Sequence, residues 1–278
     1  MMESWQVALS TGCFYKMSIF DVLEPIKNSG FAAVEVCSSP GHLDYHDPEK
    51  VRKAQALLSE LGLEAMSFHA PFAKGIDITS PDRGERERSA EEIMKAAEAA
   101  EILRVKNFVI HPGPEKNQAP PAEEFLKRMK NSAEFVQELA ARCQKCGMRL
   151  LLENMIPSLL FGHIRDLVWI IASVSSLNVG ICLDTGHASI GSPLGNIPKK
   201  ISGYLDMLHV NDNRGEVDEH LPPGEGTVDW GQLVRDLEAM GFSGGMVLEL
   251  SGDRGFTMEQ VLEQAVDSRK FLKDLQRG

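Results

Sequence analysis

The sequence has no run of about 18 uncharged apolar residues, so it offers no candidate membrane span. It also lacks a basic stretch followed by an apolar one between Met1 and Gly12, where Glu3 sits instead, so no export signal is read there and a cytoplasmic location is expected. A disulfide framework is missing too: the five cysteines, Cys13, Cys37, Cys143, Cys146 and Cys182, are odd in number and unevenly spaced, which suits reduced thiols. Cys143 and Cys146 form a lone C-x-x-C with no second pair or nearby His, so they read as two ordinary helix cysteines and not as a zinc site. Basic charge is scarce. With 29 Lys and Arg against 40 Asp and Glu the formal net charge is −11, which repels polyanions and gives no support for an extended nucleic-acid footprint. No linker, low-complexity tract or second-domain boundary interrupts the chain.

What is present is an alternation. Short apolar or β-branched runs at Gln6–Ser10, Ala33–Cys37, Glu64–His69, Asn107–His111, Arg149–Glu153, Asn178–Asp184, Met207–Val210 and Met246–Leu250 read as strands. Between them, apolar positions recur at three- and four-residue intervals over Pro48–Leu61, Arg86–Leu103, Ala122–Lys145, Ile164–Ser175, Trp230–Met240 and Met258–Leu275, the pattern of amphipathic helices. Gly30, Gly62, Gly147 and Gly241 each precede a strand, where a helix C-cap favours glycine. Eight strands in 278 residues give about 35 residues per unit, the size of a β-α repeat. A single (β/α)8 barrel over residues 1–278 is therefore expected. A doubly wound open sheet is disfavoured, because Ser10-Thr11-Gly12-Cys13 carries no G-x-G-x-x-G after the first strand.

The C-terminal ends of these strands share a chemistry that packing does not demand. His69, His111, Glu153, Asp184, His209 and Glu249 all fall there, at spacings of 42, 42, 31, 25 and 40 residues. Parallel strands of a barrel bring such residues to one mouth, the mouth where barrel active sites lie. His187, Asp218 and His220 follow just beyond, the last two one residue apart so that both can point the same way from an extended loop. Five of the eight histidines thus converge with carboxylates whose burial is costly without a cation. His42, His46 and His163 fit no such pattern and read as surface or loop residues. Mixed imidazole and carboxylate donors without cysteine point to zinc, manganese or another borderline divalent ion. Nine ligands exceed one ion's needs and suit two or three, with a carboxylate bridging.

The motifs around these residues resemble the xylose isomerase-like barrel superfamily, which contains sugar and sugar-phosphate isomerases and epimerases together with the repair enzyme endonuclease IV. The resemblance spans nearly the whole chain and rests on Ser67-Phe68-His69-Ala70-Pro71-Phe72, Ile110-His111-Pro112-Gly113, Leu152-Glu153-Asn154, Cys182-Leu183-Asp184-Thr185-Gly186-His187-Ala188, Leu208-His209-Val210-Asn211-Asp212, Asp218-Glu219-His220-Leu221-Pro222-Pro223-Gly224-Glu225-Gly226 and Leu248-Glu249-Leu250. It implies that Glu153, Asp184, His209 and Glu249 hold the essential ion of the epimerases. It further implies that His69 and His111 would serve a second ion, and His187, Asp218 and His220 a third, as in endonuclease IV. Where that nuclease carries an arginine after its second strand this chain has Ser38-Ser39-Pro40-Gly41-His42, and where its DNA wedge lies the chain has Phe72 followed by Ala73. The segment Asp77-Ile78-Thr79-Ser80-Pro81-Asp82, with Arg86 and Arg88, looks like the isomerase branch, though it also reads as a charged loop and helix start.

Three functions follow as expectations. The first is isomerisation or epimerisation of a sugar, sugar phosphate or related hydroxy-ketone through an enediolate, with Glu153 and Glu249 as both ligands and proton carriers. The second is phosphodiester hydrolysis at an abasic DNA site on a trinuclear zinc centre, and the third a metal-retaining scaffold that binds a ligand without turning it over. Charge and loops favour the first, with a small sugar-like substrate and not DNA as the partner. Lys74, Arg214 and Arg254 on rim loops are candidates to meet a phosphate or carboxylate, and Trp230 and Phe14 to wall a pocket; surface exposure and core packing are their simpler readings. Oligomeric state is not legible.

Overall fold

The apolar runs form eight short strands, β1 (Val7–Ser10), β2 (Ala33–Cys37), β3 (Glu64–His69), β4 (Asn107–Ile110), β5 (Arg149–Glu153), β6 (Val179–Asp184), β7 (Leu205–Val210) and β8 (Gly245–Leu248). All pair in parallel in sequence order, and β1 also pairs with β8, so the sheet closes on itself. The computed structural model describes residues 5–115, 120–252 and 255–277. Outside the strands run α1 (Ile19–Asn28), α2 (Pro48–Leu61), α3 (Arg83–Leu103), α4 (Ala122–Lys145), α5 (Ile164–Ala172), the short α6 (Thr185–Ser189) and α7 (Ile197–Lys200), α8 (Trp230–Ala239) and α9 (Met258–Arg277). The expected (β/α)8 barrel is the fold. Among the described residues, no helix is long and apolar enough to cross a membrane, and all five cysteines are free.

Two cores hold the barrel. A large one fills the space between strands and helices, with Phe31, Phe68 and Phe108 fully buried. A small one plugs the barrel itself, one residue per strand: Ala8, Ala33, Met66, Val109, Leu151, Cys182, Met207 and Val247. Side chains alternate along a strand, so the residue two steps beyond each plug residue points into the barrel one layer higher. From Val109, Leu151, Cys182, Met207 and Val247 that step reaches His111, Glu153, Asp184, His209 and Glu249. On β3 a register shift against β2 lets His69 reach the same mouth three residues after Met66.

Three helices were not singled out by the periodicity: α6 and α7, which are only 5 and 4 residues long, and α1, which has Pro25 inside it. The proline removes one backbone hydrogen bond, but Ser18 caps the start and Ile19, Val22, Leu23 and Ile26 are buried, so tertiary burial outweighs the local penalty. Strands β4 and β8 stop one residue before His111 and Glu249, and β7 begins two residues earlier than its pattern suggested. Helix α3 starts at Arg83, where the Asp82 carboxylate accepts the Glu85 amide proton at 2.7 Å. The four glycines before strands all have positive φ, from 61° to 83°, as C-caps require.

The segment 77–82 proves structural. Asp77 is buried, pairs with the buried Arg128 guanidinium of α4 at 2.9 Å and accepts the Thr79 hydroxyl proton at 2.6 Å. Arg86 donates to the carbonyls of Ser80 and Pro81. This network ties the loop after His69 to the next helix. Asp77→Ala is expected to lower stability by about 2–4 kcal/mol in urea denaturation, because Arg128 keeps only the more exposed Glu124 as a charged partner. A loss below about 0.5 kcal/mol would show that the pair holds nothing in place.

Candidate metal centre

All nine residues singled out in the sequence meet at the barrel mouth, in three groups whose ligand atoms lie within 4.8 Å of one another: His69, His111 and Glu153; Glu153, Asp184, His209 and Glu249; His187, Asp218 and His220. Glu153 is the hub. Its Oε2 lies 3.0 Å from His69 Nε2 and 3.1 Å from His111 Nε2, while its Oε1 faces His209 Nδ1 at 3.1 Å, the arrangement of a carboxylate that bridges two sites. Asp218 Oδ2 lies 3.2 Å from His187 Nε2 and 3.1 Å from His220 Nε2.

Backbone carbonyls orient three of the five imidazoles. Nδ1–H of His69 donates to the Ala70 carbonyl at 2.8 Å, that of His187 to Asn154 at 2.9 Å and that of His220 to Glu249 at 2.9 Å. Each bond fixes the tautomer and leaves Nε2 free to face its group. Asp184 is held as firmly, with Oδ1 accepting the His187 amide proton at 2.6 Å and Oδ2 an Asn211 amide proton at 2.8 Å. Gly186 is needed here, since a Cβ would come within 1.8 Å of Asn211 Oδ1. His220 itself adopts a positive φ of 46°, a strained backbone that aims its ring inward.

Donor chemistry fits a cation. His209 Nδ1 and both ring nitrogens of His111 are buried without a hydrogen-bond partner, which is costly unless something else engages them. Burial pushes the Glu249 carboxyl up to about 7, with Glu153 and Glu35 adding to the rise against the pull of His209. Burial would also raise Glu153, but the surrounding imidazoles, His209 first, hold it well below the usual carboxylate range. Burial opposes charge on His69 and His220, yet hydrogen bonds to Glu153 and Asp218 lift both to about 9.

One site residue escaped the sequence reading. Glu35, in the middle of β2, is fully buried two positions beyond the plug residue Ala33, and its Oε2 accepts from His209 Nε2 at 3.0 Å and from the Ser67 hydroxyl at 2.8 Å. Strands had been read by their last residues; an acid flanked by apolar neighbours in a buried parallel strand was the available signal.

A family model described as a xylose isomerase-like TIM barrel matches residues 23–275. The chain belongs to that family. An uncharacterised protein of Methanocaldococcus jannaschii is 28% identical over 275 residues, 96% of this chain and 87% of that one. A probable endonuclease 4 of Ureaplasma parvum is 25% identical over 207 residues, covering 66% of this chain and 65% of its own. Among solved structures, a D-tagatose 3-epimerase-like protein superposes with a TM-score of 0.84 at 24% identity, covering 98% of this chain and 97% of that one, a likeness of fold.

In this xylose isomerase-like barrel the mouth opens into a cavity of about 400 Å³, walled by Tyr15, Phe72, Ser38 and Ser39 and floored by His69, His111 and Glu249. Phe72 stands edge-on to His111 at 4.1 Å between ring centroids. None of the residues lining the cavity is Lys or Arg. Lys74 is exposed on its loop outside this wall, and Arg214 pairs with Glu219; Arg254 lies outside the described residues. Trp230 is core, its Nε1–H donating to Asp212 at 2.8 Å, and Phe14 is buried in the same apolar core, so Tyr15 and Phe72 do the walling instead. His46 and His163 are exposed, whereas His42 is a loop residue turned inward, with Nδ1 2.6 Å from the Met17 carbonyl. A larger cavity, about 720 Å³, opens at the opposite end among Gln6, Glu64, Lys106 and Phe242, away from all nine ligands and from the end where barrel chemistry resides.

Uptake of divalent ions must displace the protons that His69 and His220 carry at neutral pH. Calorimetric zinc titrations in two buffers of different ionisation enthalpy are expected to show proton release, with affinity climbing as pH rises toward about 9, where both imidazoles become neutral, and levelling above it. Affinity independent of pH between 6 and 9 would contradict this arrangement.

Proposed function

We propose that this protein is a metal-dependent isomerase or epimerase that acts on a small, uncharged, sugar-like hydroxy-ketone. The observation that carries the reading is the pairing of a densely acidic and imidazole-rich floor with a neutral cavity whose other walls are hydroxyls and aromatic rings. Serine hydroxyls suit a polyhydroxylated ligand, rings cover its apolar face, and a phosphate would find no cation among the lining residues. The sugar-epimerase name of the superposed structure points the same way.

In this reading Glu153, Asp184, His209 and Glu249 hold the ion next to the cavity, His69 and His111 share Glu153 with a second, and His187, Asp218 and His220 hold a third; zinc suits these donors best. A divalent ion bound there supplies electrophilic polarisation of a carbonyl and the neighbouring hydroxyl. Glu249 reaches the cavity, and its carboxylate takes the proton from the carbon beside the carbonyl while the C–H electrons pass into an enediolate. Return of that proton to the adjacent carbon, with the hydroxyl proton passing to the other enediolate oxygen, yields the isomer. Protonation of the opposite face by water yields the epimer, after which the proton held by Glu249 neutralises the hydroxide left behind, while Glu153 would stay an ionised ligand of the ion.

A second reading, phosphodiester cleavage at an abasic DNA site, draws on the two outer ligand groups and on the endonuclease 4 relative. It is opposed by a net charge of −11 and by the absence of any arginine from the loop Ser38–His42. It is opposed as well by Phe72, which packs on His111 and so does not project as a wedge.

Both readings meet in one experiment. Metal-loaded protein is offered a panel of ketoses, aldoses and their phosphates in deuterium oxide, and separately a duplex with one abasic site. Carbon-bound deuterium is expected in at least one unphosphorylated sugar, with little salt dependence and slow or absent strand cleavage. Glu153→Gln and Glu249→Gln are expected to reduce the exchange by about 10²-fold or more, whereas His220→Ala keeps measurable turnover. Efficient metal-dependent incision that weakens steeply with salt, without exchange in any sugar, would make the nuclease reading primary.

A further inference from the structure

His209 differs from the other oriented imidazoles. His69, His187 and His220 each spend Nδ1–H on a backbone carbonyl and present Nε2 to their group. His209 is turned over: Nε2 meets the Glu35 carboxylate at 3.0 Å, and Nδ1 faces Glu153 Oε1 at 3.1 Å and Glu249 Oε2 at 3.4 Å. Both His209 and Glu35 are fully buried, out of contact with bulk solvent. The Ser67 hydroxyl, also buried, donates to the same Glu35 oxygen at 2.8 Å and fixes its position.

A neutral imidazole carries one N–H. Were it on Nδ1, the proton would point at the two glutamates and the Nε2 lone pair would confront Glu35, acceptor against acceptor at 3.0 Å in a dry interior. With the proton on Nε2, Glu35 accepts it and the Nδ1 lone pair is left for a cation shared with Glu153 and Glu249. A carbonyl would orient the ring equally well. A carboxylate also increases the electron density the ring can donate, and it adds buried negative charge close to the candidate site that three other acids already surround. We propose that Glu35 is a positioning residue, supported by Ser67, that fixes His209 as an Nδ1 ligand and strengthens the central metal site without touching the substrate. Glu35 is absent from the cavity lining, which agrees with a role exerted through His209 alone.

The inference rests on the metal reading above, and the test keeps the two apart. Zinc is titrated against a chromophoric chelator with wild-type protein, Glu35→Gln, which keeps shape but removes charge, and Ser67→Ala, which removes the supporting donor. Long-range proton–nitrogen spectra of the zinc-loaded proteins report which His209 nitrogen carries hydrogen. The expected result is about 10- to 100-fold weaker binding of one ion in Glu35→Gln, with the other binding steps unchanged. Ser67→Ala should weaken the same step by less, and the protected Nε2–H signal of wild type should shift or broaden in both variants. Unchanged affinity and an unchanged signal overturn the inference alone, as does equal weakening of every step, which would mark a general structural defect. A wild-type protein that takes up no ion overturns the metal reading and this inference with it. Should Glu35→Gln fail to fold, an undiminished central site in Ser67→Ala counts against the proposal.

Discussion

Buried negative charge with only imidazoles, and no lysine or arginine among the described residues, beside it is the constraint on which the rest of this structure depends. Glu35, Glu153 and Asp184 are each at most 1% exposed, Glu249 stands beside them, and no Lys or Arg reaches the cavity above. A carboxylate removed from water is tolerated only when paired, hydrogen-bonded or bound to a cation. Hydrogen bonds answer part of this charge. Asp184 takes two N–H donors, Glu35 takes a hydroxyl and an imidazole, and Asp212, just beyond β7, accepts the backbone protons of Asn213, Gly224 and Val228 and the Trp230 indole proton. Asp212 thereby shapes the loop that carries Asp218 and His220. The remaining deficit, with Glu35 Oε1 and His111 Nδ1 lacking a hydrogen bond and with His209 Nδ1 and His111 Nε2 facing Glu153 without one, is what the proposed ions would answer.

Strand periodicity converts this constraint into geometry. A plug layer of one small or apolar side chain per strand closes the barrel, and the next inward layer has nowhere to point but the mouth. That is why the site was so legible: His111, Glu153, Asp184, His209 and Glu249 announce themselves as polar residues at the ends of apolar strands, and their convergence needs only the topology. Glu35 was missed because it occupies the same layer from the middle of β2, a strand whose last residue is the unremarkable Cys37. Pro25 concealed α1 in the same manner, a local signal overruled by burial. The buried turn of His42 toward the Met17 carbonyl left no pattern at all, since a single histidine in a Gly-Pro-Ser loop looks the same facing in or out.

Charge separates floor from walls, and the proposed function follows from that separation. The floor concentrates acids and imidazoles, whereas the walls offer serine hydroxyls and two rings. An ion at the floor and a neutral polyol above it would each meet suitable partners; a polyanion would meet an acidic protein and an uncharged rim. Ordinary side chains on the loops just beyond the strands decide this, which is how one barrel accommodates different chemistries by changing loops while the strand ends stay put.

Anomalous diffraction from zinc-loaded crystals, recorded on both sides of the zinc absorption edge, tests the central claim most directly. The account predicts two or three peaks, one between Glu153, Asp184, His209 and Glu249, a second between Glu153, His69 and His111 or between His187, Asp218 and His220, each about 2.0–2.2 Å from its nitrogen and oxygen donors. Peaks confined to surface residues, or an empty mouth with the imidazoles turned away from Glu153, would contradict it.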